Sequence, residues 1–166
     1  IAKRLQGDPF GALEDINVFI RHDPKNAGAS CERARSRMRQ QRLDDALADC
    51  ATALRCDPQY PEVFDVRGHI KWQRKNHAGA LADFDEHVRL RPTQAEPLVI
   101  RGTLRAEMGD PAAAMADFDR AIELEPEEIE AYRRRERLRG SITDALETVF
   151  DLMQRGHVVP LPAPET

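Results

Sequence analysis

Pro58, Pro92 and Pro126 stand 34 residues apart, and one further step back lands on Pro24. The same spacing relates Ala12, Ala46, Ala80 and Ala114, then Leu13, Leu47, Leu81 and Met115, then Ile20, Leu54, Val88 and Ile122. A period of this length, held along the chain, restricts what it can fold into. One supersecondary unit is repeated, each copy too small to bury its own apolar face, and stacking of neighbours makes the core.

Each unit reads as two helices. In 61–94 the first runs from Pro61 to about Arg74, with proline in the first turn, where its missing N–H costs nothing. Lys75-Asn76-His77 is the turn. The second helix runs to Leu90 with Leu81, Phe84 and Val88 at helical spacing, and Pro92 ends it. In 95–128 the turn is Gly109-Asp110-Pro111, and the same triplet recurs at Gly7-Asp8-Pro9. Glycine ends the first helix there, aspartate caps the second, and proline fills its first turn.

Composition narrows the class. The chain has 166 residues, 33% charged and 41% hydrophobic, with aromatics only 5%, so the core is built mainly from Ala, Leu, Val and Ile. No apolar run approaches the 18 residues of a membrane span. Net charge −4 argues against wholesale nucleic-acid binding. Three cysteines, Cys31, Cys50 and Cys56, form no CxxC pair. The odd count, with no signal-peptide pattern at the start, points to a reducing compartment and a cytoplasmic location. Cys50 and Cys56 fall at apolar positions and are expected in the core.

The pattern resembles the tetratricopeptide repeat family, a 34-residue helix–turn–helix. The matching residues are Gly102, Gly109, Ala114, Phe118, Ala121 and Pro126 in 95–128, Phe64, Gly68, Ala80, Phe84 and Pro92 in 61–94, and Ala34, Ala46, Cys50, Ala53 and Pro58 in 27–60. The resemblance implies an all-α, right-handed superhelical solenoid of antiparallel helix pairs over 1–155. Its parts would be a partial repeat at 1–26, three full repeats, and a degenerate capping unit at 129–155 with a turn at Gly140-Ser141. In that unit Ala145, Leu146, Val149, Phe150 and Met153 would share one face. Residues 156–166, with three alternating prolines, read as an extended tail.

The chain departs from the family pattern in one regular way. Arg33, Arg67, Arg101 and Arg135 replace its leucine, and Arg37, Lys71, Arg105 and Arg139 replace its tyrosine, each series on the 34 period. Asp15, Asp49, Asp83 and Asp117 share that period on the second helices. Two opposite series with one period predict a ladder of Arg–Asp pairs between stacked helices. It accounts for the bias that makes 21 of 25 basic residues arginine.

The resemblance further implies a concave groove lined by first helices. Its positions select Cys31, Glu32, Arg35, Met38 and Arg39; then Glu62, Asp65, Val66, His69, Trp72 and Gln73; then Glu96, Val99, Ile100, Thr103, Ala106 and Glu107; then Glu130, Arg133, Arg134 and Arg137. Trp72 reads either as a binding anchor or as packing against the next first helix. The chaperone-tail clamp of Lys and Asn is missing, its positions being held by Cys31, Arg35, Val66, Glu96 and Ile100.

No GxSxG, P-loop, GxGxxG or HExxH occurs. His69, His77 and His87 fall in one repeat and read as surface or interhelical histidines, with no metal or cofactor implied. The expectation is a non-enzymatic scaffold that holds a peptide or helix of another protein, with acidic groups at Arg35, Arg39 and the 133–137 cluster. The alternatives are a structural homo-oligomer joined through repeat ends or tail, and, lower, RNA binding through the arginine clusters.

Overall fold

The computed structural model describes residues 9–154, with side chains described for 13–144, 146 and 150. Within that span the chain is all-α: α1 (Pro9–His22), α2 (Ala27–Arg39), α3 (Leu43–Cys56), α4 (Pro61–Gln73), α5 (His77–Leu90), α6 (Ala95–Glu107), α7 (Pro111–Leu124) and α8 (Ile129–Gln154). They pack as antiparallel pairs α2/α3, α4/α5 and α6/α7, with α1 and α8 at the ends. None of these helices is long and apolar enough to cross a membrane. The 156–166 tail, Gly7 and Asp8 of the Gly7-Asp8-Pro9 turn, and the side chains of Ala145, Val149 and Met153 lie outside the described residues.

The turns repeat as strictly as the helices. Gln41, Lys75 and Gly109, 34 apart, all take positive φ (60°, 61° and 82°). The next N–H closes each turn on a carbonyl five residues back at 2.9 Å: Arg42 to Arg37, Asn76 to Lys71, Asp110 to Arg105. Asn76 and Asp110 then cap α5 and α7 through Gly79 N and Ala113 N.

The fourth turn does not form. α8 runs unbroken through Gly140 and Ser141, which corrects the expected turn there. Residue 143, next in the positive-φ series, is a threonine, and a β-branched side chain resists that conformation. Thr143 stays helical, its hydroxyl donating to Arg139 O at 3.1 Å. Position 136 adds a second reason. The register holds Ala34, Gly68 and Gly102 where the helices of a pair meet, and Glu136 in the last unit. The close approach matters: a Cβ on Gly68 would lie 2.5 Å from Phe84, and one on Gly102 2.8 Å from Phe118. The second half of α8 therefore projects, leaving Leu146 and Phe150 65% and 61% exposed.

Small residues fill the core as composition requires. Ala34, Ala46, Cys50 and Ala53 form the α2/α3 contact, and Val63, Val66 and Ile70 of α4 close over it. Phe84 and Phe118 fill the next two pairs. Cys31, expected in the groove, is buried in this core, and Cys56, expected in the core, is exposed. Val66 is likewise buried, because α4 turns it toward α2 and α3.

Candidate functional site

The arginine series lands on the aspartates of the paired helix. Arg67 Nη2 lies 2.6 Å from Asp83 Oδ1, and Lys71 Nζ 2.8 Å from Oδ2. Arg33 and Arg37 hold Asp49, each at 2.7 Å. Arg101 and Arg105 hold Asp117 at 2.6 and 2.9 Å. The three carboxylates are 3–5% exposed, while their bases keep a wet side. These pairs join the two helices of one repeat, residue i to i+16 for Arg33, Arg67 and Arg101 and i to i+12 for Arg37, Lys71 and Arg105. A second set runs backward to the preceding repeat: Arg33 to Asn17 at 3.0 Å, Arg101 to Asp85 at 2.9 Å, Arg135 to Asp119 at 3.0 Å. Two assignments change. Arg135 bonds Asp119 rather than a member of the aspartate series. Asp15 is exposed, and Arg33 reaches Asn17 and Asp49 instead.

The first helices share one side of the array, with α2 packed on α4 and α6 on α8. Near α2 that side is basic but tied: Arg35 bonds Glu32 at 2.7 Å. Arg39 is exposed, and Met38 leans on the α2/α3 core. On α4, His69 Nε2 sits 3.2 Å from Asp65 Oδ1. Burial alone would raise the Asp65 carboxyl, but His69, together with the charges of His87 and Arg35, outweighs it and holds the group below its usual range. Gln73 is exposed at the helix end. Cys31 and Cys50 lie beneath, and burial pushes both thiols up to about 12.

Trp72 packs against the next first helix, one of the two readings of it. Its Nε1 donates to Glu107 Oε2 on α6 at 2.8 Å. Its ring stacks on His69 and meets Phe84 edge-on, centroids 5.9 and 6.0 Å away. Trp72 also lines a cleft of about 640 Å³ between α4, α6 and α8, a size suited to a side chain or short segment. Val99, Ile100 and Thr103 extend its floor, and Glu96, Glu125, Glu128, Glu130 and Arg134 surround it. The groove positions miss Gln94, Glu125 and Glu128, which come from the loops before α6 and α8. Arg134 is held by Glu130 at 2.7 Å, with Arg133 at 3.9 Å from the same residue. Arg137 lines a smaller neighbouring cleft with Thr103 and Leu138.

Among the described residues no three His, Cys, Asp or Glu converge as a metal site.

The comparisons agree with the helical pattern. Two sequence profiles described as tetratricopeptide repeat match residues 4–61 and 68–139. No curated protein matches the sequence. MamA 41-end from Desulfovibrio magneticus RS-1 superposes with TM-score 0.72 at 18% identity, over 90% of this chain and 86% of that one. A thermophilic TPR protein of Thermus thermophilus gives 0.70 at 20%, over 82% and 84%. The first TPR of Spaghetti (RPAP3), bound to the HSP90 peptide SRMEEVD, gives 0.66 at 23%, over 73% and 96%. With the 34-residue period, paired helices and repeating turns, these matches place the chain in the tetratricopeptide repeat family.

Proposed function

We propose that this chain is a non-catalytic scaffold whose first-helix face holds a segment of another protein. Repeat domains of this family typically mediate protein–protein interaction. One observation carries the reading: the cleft between α4, α6 and α8 presents a half-buried tryptophan beside Val99 and Ile100, rimmed by charge. A large aromatic in a partly dry depression ringed by polar groups is the make-up of a binding hot spot. Arg39 and Arg137, exposed at either side, suit acidic groups elsewhere on the same partner.

The test is affinity capture from native extract with the full chain and with Thr103→Phe, which fills the cleft without changing charge. The expected result is at least a tenfold loss of the captured protein at unchanged helical circular dichroism. Ala116→Phe, on the exposed side of α7, should capture normally. Equal capture by Thr103→Phe would overturn the reading.

The second reading is self-association, favoured by the exposure of Leu146 and Phe150 on the projecting half of α8. Leu146→Glu/Phe150→Glu should then abolish any rise of mass with concentration in sedimentation. A mass that is monomeric at all concentrations would refute it.

A further inference from the structure

We infer that the α4–α6–α8 cleft takes a partner segment in which an apolar side chain stands next to an arginine or lysine. The apolar group seats on Trp72 and Ile100, and Glu96 and Glu128 hold the cation. The inference rests on the groove reading above and adds the chemistry of the occupant.

The argument is one of charge balance around a built cleft. Four carboxylates stand at its mouth against a single guanidinium, Arg134, which Glu130 engages. Backbone donors fix two of the others. Glu125 accepts from Ala95 N at 3.1 Å and Glu128 from Glu130 N at 3.0 Å. Glu96 stands in the first turn of α6 and forms no ion pair among the described residues. Nor do Glu125 and Glu128. Fixed like charges around an apolar floor favour a cation carried beside an apolar group, and they repel a carboxylate. A guanidinium also suits the paired oxygens of a carboxylate. The floor supplies what a bare acidic patch lacks, because Trp72, held in place by Glu107 and Phe84, lines it beside Val99 and Ile100.

The chain has one tryptophan, so its indole N–H is a unique reporter of this cleft in a ¹⁵N-labelled sample. Three probes suffice: acetyl-Arg-Leu-Arg-amide, acetyl-Arg-Ser-Arg-amide and acetyl-Glu-Leu-Glu-amide, titrated into the full chain. The first should move the Trp72 indole and the Thr103 amide. The second should bind at least fivefold more weakly, and the third should leave both signals in place. Glu96→Gln/Glu128→Gln, which keeps the shape of both side chains, should weaken the first probe at least fivefold, and 500 mM salt should weaken it similarly.

Binding of the Glu-Leu-Glu probe at these resonances, as tight as that of Arg-Leu-Arg, would overturn the cationic assignment and leave the groove reading standing. Equal binding of the serine probe, or no effect of the double glutamine variant, would overturn the inference in the same way. Silence of Trp72 to all three probes would overturn it and the groove reading together.

Discussion

Removing Arg67 should harm the fold more than removing its partner Asp83. The Asp83 carboxylate is 3% exposed and takes the whole edge of the Arg67 guanidinium plus the Lys71 ammonium, whereas Arg67 is 28% exposed. The Asp83 bond in turn pushes the Arg67 guanidinium above its ordinary value. Arg67→Met keeps the aliphatic stem and strands a buried carboxylate on Lys71 alone. Losing one partner of a buried pair costs about 3–5 kcal/mol. Lys71, 2.8 Å away, retains part of the compensation, so about 2–3 kcal/mol is expected here. Asp83→Asn leaves two bases that can turn to water, and should cost about 1 kcal/mol. Arg67→Met/Asp83→Leu removes both charges and should fall within about 1 kcal/mol of the parent. For a chain of this size each kcal/mol moves Tm by about 2–4 °C, so the single arginine variant should melt roughly 4–12 °C lower. Circular dichroism gives the midpoint. Hydrogen exchange on α4 and α5 shows that the loss is local, as quasi-one-dimensional stacking requires. If Arg67→Met cost no more than Asp83→Asn, or the double variant were the worst of the three, the reasoning from buried charge would be refuted.

Gly68→Ala should destabilise by about 1–3 kcal/mol, since its Cβ would meet Phe84 at 2.5 Å, while Gly140→Ala, in open space, should stabilise by about 1 kcal/mol in the same melts. Ellman's reagent at pH 8 should titrate one thiol per native chain, Cys56, because Cys31 and Cys50 are buried with pKa near 12; three fast thiols would contradict the packing. Burial pushes the His87 imidazole below its ordinary value, so the unfolded chain takes up its proton first. The His87 contribution to stability is then full above about pH 6.5 and falls as pH drops toward the lowered folded value. Tm should fall between pH 7 and 5, and His87→Ala, in register with Ala53 and Ala121, should flatten that slope. An unchanged slope would clear His87 of it.

The regular part of the molecule was legible because it is periodic. Proline and alanine series locate the helices, and a 16-residue offset between Arg67 and Asp83 is one hairpin, whatever the surroundings. What was missed breaks the period or comes from outside the series. The backward bonds use Asn17, Asp85 and Asp119, which fall on the same 34-residue period, but Ala51 interrupts that series and hides it. Gly140-Ser141 reads as a turn if glycine is taken as the breaker. The deciding position is 143, where threonine follows Gln41, Lys75 and Gly109. The groove positions follow the first helices alone, so they include Cys31 and Val66, which the neighbouring helices bury. They also omit Glu125 and Glu128, which the loops bring to the cleft and which add to the acidity of its rim. Trp72 packs and faces solvent at once, because a large ring at a repeat junction has area for both.

Hydrogen–deuterium exchange of the full chain with and without its captured partner tests the scaffold reading most directly. Protection gained in α4, α6 and the first half of α8, with α3, α5 and α7 unchanged, is the predicted result. Protection confined to the second helices, or to the projecting end of α8, would contradict it.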